Sequence, residues 1–108
     1  MAYMVYILEQ AEQDIQDIYN YVAYNDSKAK ALLLINELES VCFRLEDFPE
    51  RGLVPHELKE IGIIDYLQII CFNYRIIYQI DQQQVFVHAV LDGRRDMLSL
   101  LERRFLRK

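Results

Sequence analysis

The sequence predicts an α+β domain: an N-terminal strand, an antiparallel helical hairpin, a three-stranded antiparallel meander and a short C-terminal helix. Three observations carry this. Residues 11–48 repeat apolar positions at helical spacing, residues 61–91 hold three segments of alternating apolar residues, and only three glycines and two prolines interrupt the 108 residues. A chain of this length builds one core, so a single domain over residues 1–108 is expected.

Met1 to Leu8 combines Tyr3, Val5, Tyr6 and Ile7 and reads as an opening strand. From Ala11 the period changes: Ala11, Ile15, Ile18 and Val22 are spaced four, three and four apart, with Glu12, Asp14, Gln16 and Asp17 between them. This is an amphipathic helix whose acids crowd the N-terminal turns, where the helix dipole favours them. Asn25, Asp26 and Ser27 end it and offer capping oxygens to the next helix, and so short a connection implies an antiparallel hairpin. In the second helix Ala31, Leu34, Leu38, Val41, Leu45 and Phe48 form a stripe about five turns long. Leu32, Leu33, Ile35 and Cys42 widen the apolar arc, as expected of a helix held between its neighbour and a sheet face, or of one that also docks a partner.

Pro49, Gly52 and Pro55 mark a loop to about Lys59. Three strands follow. Ile61, Ile63, Leu67, Ile69 and Cys71 share a face in Ile61–Phe72; Tyr74, Ile76, Tyr78 and Ile80 in Tyr74–Ile80; Val85, Val87, Ala89 and Leu91 in Val85–Leu91. Asn73 and Asp81–Gln84 are the connections, which makes the three a meander. Gly93 ends the last strand, and Met97, Leu98, Leu101 and Phe105 mark the final helix. Asp96 caps it, and Arg103, Arg104, Arg107 and Lys108 suit the negative end of its dipole.

Hydrophobic residues make up 53 % of the chain and charged residues 27 %, which excludes a disordered tail or linker. The longest unbroken apolar run, Met1 to Leu8, is far below the roughly 18 to 20 residues that cross a bilayer, and no basic stretch precedes it, so a cytoplasmic protein with no membrane partner is expected. Cys42 and Cys71 stand apart from any CxxC or Cys/His cluster, so they are expected to be buried thiols, with no metal and no cofactor. The net charge of −5 argues against a general nucleic-acid binder. It is unevenly placed: residues 1–50 carry three basic and ten acidic groups, residues 94–108 six basic and two acidic. A local basic region thus survives on an acidic protein.

No GxSxG, Walker loop, HExxH or GxGxxG occurs. The remaining polar residues gather at strand ends. Arg75 is expected on the face opposite Tyr74, Ile76 and Tyr78, and His88 on a face shared with Phe86 and Asp92. Asp92-Gly93-Arg94-Arg95-Asp96 puts two guanidinium groups at the exit from the sheet. Singly these are ordinary ion pairs, a packed imidazole and a helix cap. Together, planar guanidinium forks beside an imidazole have the chemistry to hold a phosphodiester.

Ala11-Glu12-Gln13-Asp14-Ile15 with Tyr21 beyond it, Phe48-Pro49-Glu50-Arg51-Gly52, and Tyr74-Arg75-Ile76-Ile77-Tyr78-Gln79-Ile80 followed by Val85–Leu91 and Gly93-Arg94-Arg95-Asp96 carry a resemblance over nearly the whole chain. It resembles the RelE/ParE superfamily of toxins from type II toxin-antitoxin pairs, also called plasmid stabilisation proteins. The resemblance implies growth arrest by a toxin that a cognate antitoxin neutralises, in a homodimer or in a heterotetramer with that antitoxin. It also implies one of two activities: ParE-like inhibition of DNA gyrase without catalysis, or RelE-like endonucleolytic cleavage of mRNA on the ribosome. The first assigns target binding to Arg94, Arg95, Arg103 and Arg104; the second assigns Arg75 and Arg94 to the phosphate and His88 or Tyr78 to proton transfer. Antitoxin binding falls to Leu34, Leu38, Val41 and Leu45 in either case.

Several positions depart from the nuclease pattern. Leu67 follows Tyr66 where many nuclease-like relatives have arginine, Asp92 stands where many have histidine, and no tyrosine follows Gly93, leaving Phe105 to supply stacking alone. With the acidic balance of the chain, these point to a gyrase-directed toxin. The alternatives are the ribosome-dependent nuclease and a degenerate, non-toxic interaction module.

Overall fold

The computed structural model describes residues 2–106, and its elements follow the predicted order. Strand β1 is Met4–Ile7, helix α1 is Glu9–Asn25 and helix α2 is Lys28–Phe43. A one-turn helix α3 is His56–Lys59; strands β2, β3 and β4 are Leu67–Cys71, Tyr74–Asp81 and Gln84–Asp92; helix α4 is Met97–Leu101, continued by a π-helical turn Glu102–Leu106. The sheet order is β1-β4-β3-β2, with β1 parallel to β4 and the other pairs antiparallel.

The caps form as the sequence implies. Ser27 accepts a hydrogen bond from the Lys30 N–H, and Asp96 accepts from the N–H and hydroxyl of Ser99. The first core lies between the hairpin and one sheet face, where Ala11, Ile15, Leu38, Val41, Cys42 and Leu45 meet Ile69, Cys71, Tyr74, Ile76, Tyr78, Val85, Val87 and Val90.

A second core covers part of the other face. There Leu58 of α3 and Met97, Leu100 and Leu101 of α4 pack on Ile77, Ala89 and Leu91. This layer was not expected from the sequence, and a bulge makes it possible. Ile77 pairs with Ala89 but Tyr78 pairs with Val87, so His88 is an extra residue in β4. Side-chain alternation slips by one there. Val85 and Val87 therefore enter the first core while Ala89 and Leu91 enter the second, correcting the single face expected for all four.

Three boundaries also differ. The second helix ends at Phe43, so Leu45 is buried in a 3₁₀ turn, Arg44–Glu46, and Phe48 lies beyond it with its side chain exposed. The stripe is shorter than its spacing suggests. Residues 61–66 form no strand, because α3 ends there in a Schellman arrangement: the Ile63 N–H donates to Leu58 O and the Gly62 N–H to Lys59 O, with Gly62 left-handed at φ 80°. Ile61 is exposed, and Ile63 packs beside the second core. Both meander turns are two residues long, Phe72–Asn73 and Gln82–Gln83, with φ of 55° at Phe72 and 57° at Gln82. Neither is glycine, so sheet pairing imposes a conformation that local preference disfavours.

Candidate functional site

The second sheet face and the C-terminal end of β4 carry the polar residues singled out above. Arg75 does stand opposite Tyr74, Ile76 and Tyr78, but it is not presented to solvent. Its Nη1 and Nη2 donate to the two Glu57 oxygens at 2.8 and 2.7 Å, and its Nε donates to Gln68 Oε1 at 2.6 Å. Both partners of the ion pair are largely buried, and the guanidinium beside it holds the Glu57 carboxyl at about 2, well below the ordinary value. Every nitrogen of Arg75 thus has a protein partner, contrary to the phosphate-holding role considered for it. Glu57 and Gln68 are the residues sequence reasoning missed. The signal for Glu57 was the helical stop at Gly62 after Pro55, which places His56-Glu57-Leu58-Lys59 on a turn of helix.

Tyr78 is wholly buried, donating its hydroxyl to Pro49 O at 2.6 Å and accepting from the Gly52 N–H at 3.1 Å. Burial raises its pKa. It fastens the Pro49–Gly52 loop to the sheet and is out of reach of any substrate, which corrects its place among the proton-transfer candidates.

His88 shares the second face with Phe86 as expected, but Asp92 does not, because the bulge turns Asp92 to the α1 side. The His88 Nε2 lies 2.8 Å from Gln79 Oε1, and its ring packs edge-on to Tyr66 and Phe105. With that oxygen accepting, Nε2 carries the proton. Burial, with a smaller contribution from the Arg104 charge, lowers its pKa and favours the neutral ring. Phe105 meets Tyr66 at a centroid distance of 4.5 Å, so its stacking capacity is used within the protein.

At the sheet exit Arg94 folds back on Asp92: Nε donates to Oδ1 at 3.0 Å and Nη2 to Oδ2 at 2.8 Å, while the side chain stays exposed. The pair lowers the Asp92 pKa and raises that of Arg94. Arg95 points into a groove of about 430 Å³ between α1 and the ends of β3 and β4, lined also by Asp14, Asp17, Ile18, Tyr21, Tyr74 and Asp92. Arg103 is exposed on the last turn. Arg104 is not: its Nη1 donates to Asp14 Oδ1 at 3.0 Å and its Nη2 to His88 O at 2.8 Å, which removes it from a target-facing set. Arg107 and Lys108 lie outside the described residues.

The expected antitoxin residues prove to be core. Leu38, Val41 and Leu45 are buried and Leu34 is packed against them, because the stripe at helical spacing is what closes the hairpin on the sheet. The exposed apolar side chains of the hairpin are instead Tyr21, Tyr24, Leu32, Leu33 and Phe43. Among the described residues no group of histidine, cysteine, aspartate or glutamate is arranged to hold a metal ion, and no helix is long and apolar enough to cross a membrane.

A family model described as the ParE toxin of the type II toxin-antitoxin system, parDE, matches residues 5–97. The chain belongs to the ParE toxin family. No curated protein matches it in sequence. Among solved structures, this ParE-family chain is similar in fold to the chromosomal ParDE system of P. aeruginosa, with TM-score 0.69 and 10 % identity over 82 % of this chain and 94 % of that one. It is also similar to the RelBE2 toxin-antitoxin complex of Mycobacterium tuberculosis, with TM-score 0.62 and 17 % identity over 85 % and 92 %. A third likeness is to a mutant of the E. coli toxin RelE in the free state, with TM-score 0.60 and 20 % identity over 93 % of each chain. These likenesses bear on the α+β fold, which ParE-like and RelE-like chains share. They do not choose between the two activities, so that choice rests on the site itself.

Proposed function

We propose that this toxin acts by binding DNA gyrase rather than by cutting RNA, and that a cognate antitoxin neutralises it. The observation that carries the reading is the state of two of the side chains the nuclease reading calls on. Arg75 is saturated by Glu57 and Gln68, and Tyr78 is sealed under the Pro49–Gly52 loop. A phosphodiester would have to displace a buried carboxylate to reach that guanidinium, at a cost of several kcal/mol. Of the arginines assigned to the target above, Arg94, Arg95 and Arg103 face solvent, on a body whose remaining residues are acidic in balance. Such a surface suits a local contact with a protein or a protein–DNA complex better than a broad grip on RNA. The family match to ParE toxins supports the same side.

The antitoxin contact falls on the hairpin's exposed apolar side chains, Tyr21, Tyr24, Leu32 and Leu33, in place of the buried stripe. The likeness to ParDE and RelBE2 complexes supports a partner of this kind.

The test is a pair of assays on purified protein. Stalled gyrase supercoiling with ribosome-bound mRNA left intact is the expected result; codon-register cleavage in a translating extract with normal supercoiling overturns it. Replacing Arg94 and Arg95 by alanine together should abolish gyrase inhibition while leaving the melting temperature nearly unchanged, since exposed charges contribute under about 1 kcal/mol.

A further inference from the structure

β1 stops at Ile7, opposite Val87, whereas β4 runs on to Asp92. From His88 onward no strand among the described residues lies beside the outer side of β4. The Gly93 N–H donates to Asn73 O at 2.7 Å. Because hydrogen-bonded and non-hydrogen-bonded pairs alternate along antiparallel strands, the N–H and C=O of Val90 must then point away from β3, toward this bare side. Unpaired edge groups in a partly buried position need partners. Two side chains supply them to the Val90 N–H and to the His88 C=O. Asp14 Oδ2 accepts from the Val90 N–H at 2.9 Å, and Arg104 Nη2 donates to His88 O at 2.8 Å. The same two side chains bond each other, Arg104 Nη1 to Asp14 Oδ1 at 3.0 Å, and both are mostly shielded from water.

Asp14 belongs to α1, on the first face of the sheet, and Arg104 to the turn after α4, on the second. Their pair therefore crosses the sheet edge and ties the hairpin to the C-terminal segment. Met97, Leu100 and Leu101 already anchor the start of that segment in the second core. Residues 102–106 have less apolar hold, with Phe105 resting on Tyr66 and His88. The Arg104 Nε is buried without a partner among the described residues, and the guanidinium is placed by its other two nitrogens.

We infer that Asp14 and Arg104 together replace the missing length of β1 and act as a strap that fixes residues 102–106. Arg104 is a positioning residue: it sets the direction in which its exposed neighbour Arg103 is presented. This last step rests on the proposed reading that the basic end of the chain meets the target. Charge alone does not suffice for the strap, because each end serves two partners. Both Asp14 oxygens are used, and two Arg104 nitrogens reach different acceptors. A lysine at position 104 carries its three donors on a single nitrogen at the end of a flexible stem and lacks the rigid fork that places two separate nitrogens on the two acceptors.

The test is amide hydrogen exchange on the full-length protein. In the unmodified protein the Val90 amide should exchange as slowly as those of Val85 and Val87, which β1 covers; fast exchange at Val90 overturns the strap without any variant. In Arg104→Gln the amides of Val90 and residues 102–106 should exchange at least ~10-fold faster, with Val85 and Val87 unchanged. Arg104→Lys should loosen the same amides. Unchanged protection in Arg104→Gln, or full protection in Arg104→Lys, overturns the proposal. Gyrase inhibition separates the two readings. A loosened segment that still inhibits fully keeps the strap and removes the C-terminal turn from the target contact, whereas lost inhibition with full protection removes the strap and keeps the contact.

Discussion

Glu57 and Arg75 face each other in a two-pronged ion pair, 2.7 and 2.8 Å, between a single turn of helix and the second face of the sheet. The pair pulls the Glu57 carboxyl down to about 2 from an ordinary 4.5. A depressed carboxylate pKa contributes stability that is complete above the unfolded value and lost as pH falls through the folded one. Urea denaturation should therefore show stability declining from about pH 5 toward pH 2, with Glu57 responsible for part of the slope. Glu57→Gln should flatten that part and cost about 3 kcal/mol at neutral pH, because it leaves the Arg75 charge shielded and unpaired. An unchanged slope in the variant would remove Glu57 from the account.

The loop beneath Tyr78 offers a second measurement. Tyr78→Phe removes the partner of both Pro49 O and the Gly52 N–H and should cost about 1–3 kcal/mol. Gly52→Ala should cost more, since a Cβ there would run into the Tyr78 hydroxyl and lie 2.7 Å from the Gln68 carbonyl in the strand backbone. The two changes should not add: phenylalanine relieves one of the two clashes, so the double variant should be less destabilised than the sum. Additive melting data would mean the loop moves away instead.

Leu38 and Leu33 lie on the same helix with opposite expectations. Leu38 is fully buried, and its replacement by alanine should cost roughly 2–5 kcal/mol. Leu33 is 70 % exposed, and the same change should alter stability by no more than about 0.5 kcal/mol. Antitoxin affinity should respond in reverse, falling for Leu33→Ala in a titration with the antitoxin. Equal stability losses at the two positions would contradict the assigned faces of α2.

The thiols make a fourth case. Burial pushes Cys42 up to about 12 and raises Cys71 as well. Since the thiolate is the reactive form, iodoacetamide at pH 8 should leave both unmodified in the native protein and alkylate both in denaturant. Rapid native labelling of either would show that the first core opens on the timescale of the assay.

Local pattern carried much of the outcome. Apolar spacing of three and four places α1 and α2, strict alternation places β3 and β4, and Ser27 and Asp96 mark helix starts, because each depends on residues a few positions apart. The family, too, was legible in the strand pair ending at Gly93-Arg94-Arg95-Asp96. The roles of single polar side chains were not, since a pattern shows which face a residue occupies but not what stands opposite. Arg75 reads as a free guanidinium until α3 brings Glu57 beneath it, 18 residues away in the chain. Arg104 reads as a helix-end cation until Asp14 meets it across 90 residues. The bulge at His88 belongs with these: it turns Ala89 and Leu91 to the second core and Asp92 to the α1 side. Partners so distant in sequence are chosen by how the layers pack, which is why the candidate site had to be reassigned while the order of elements stood.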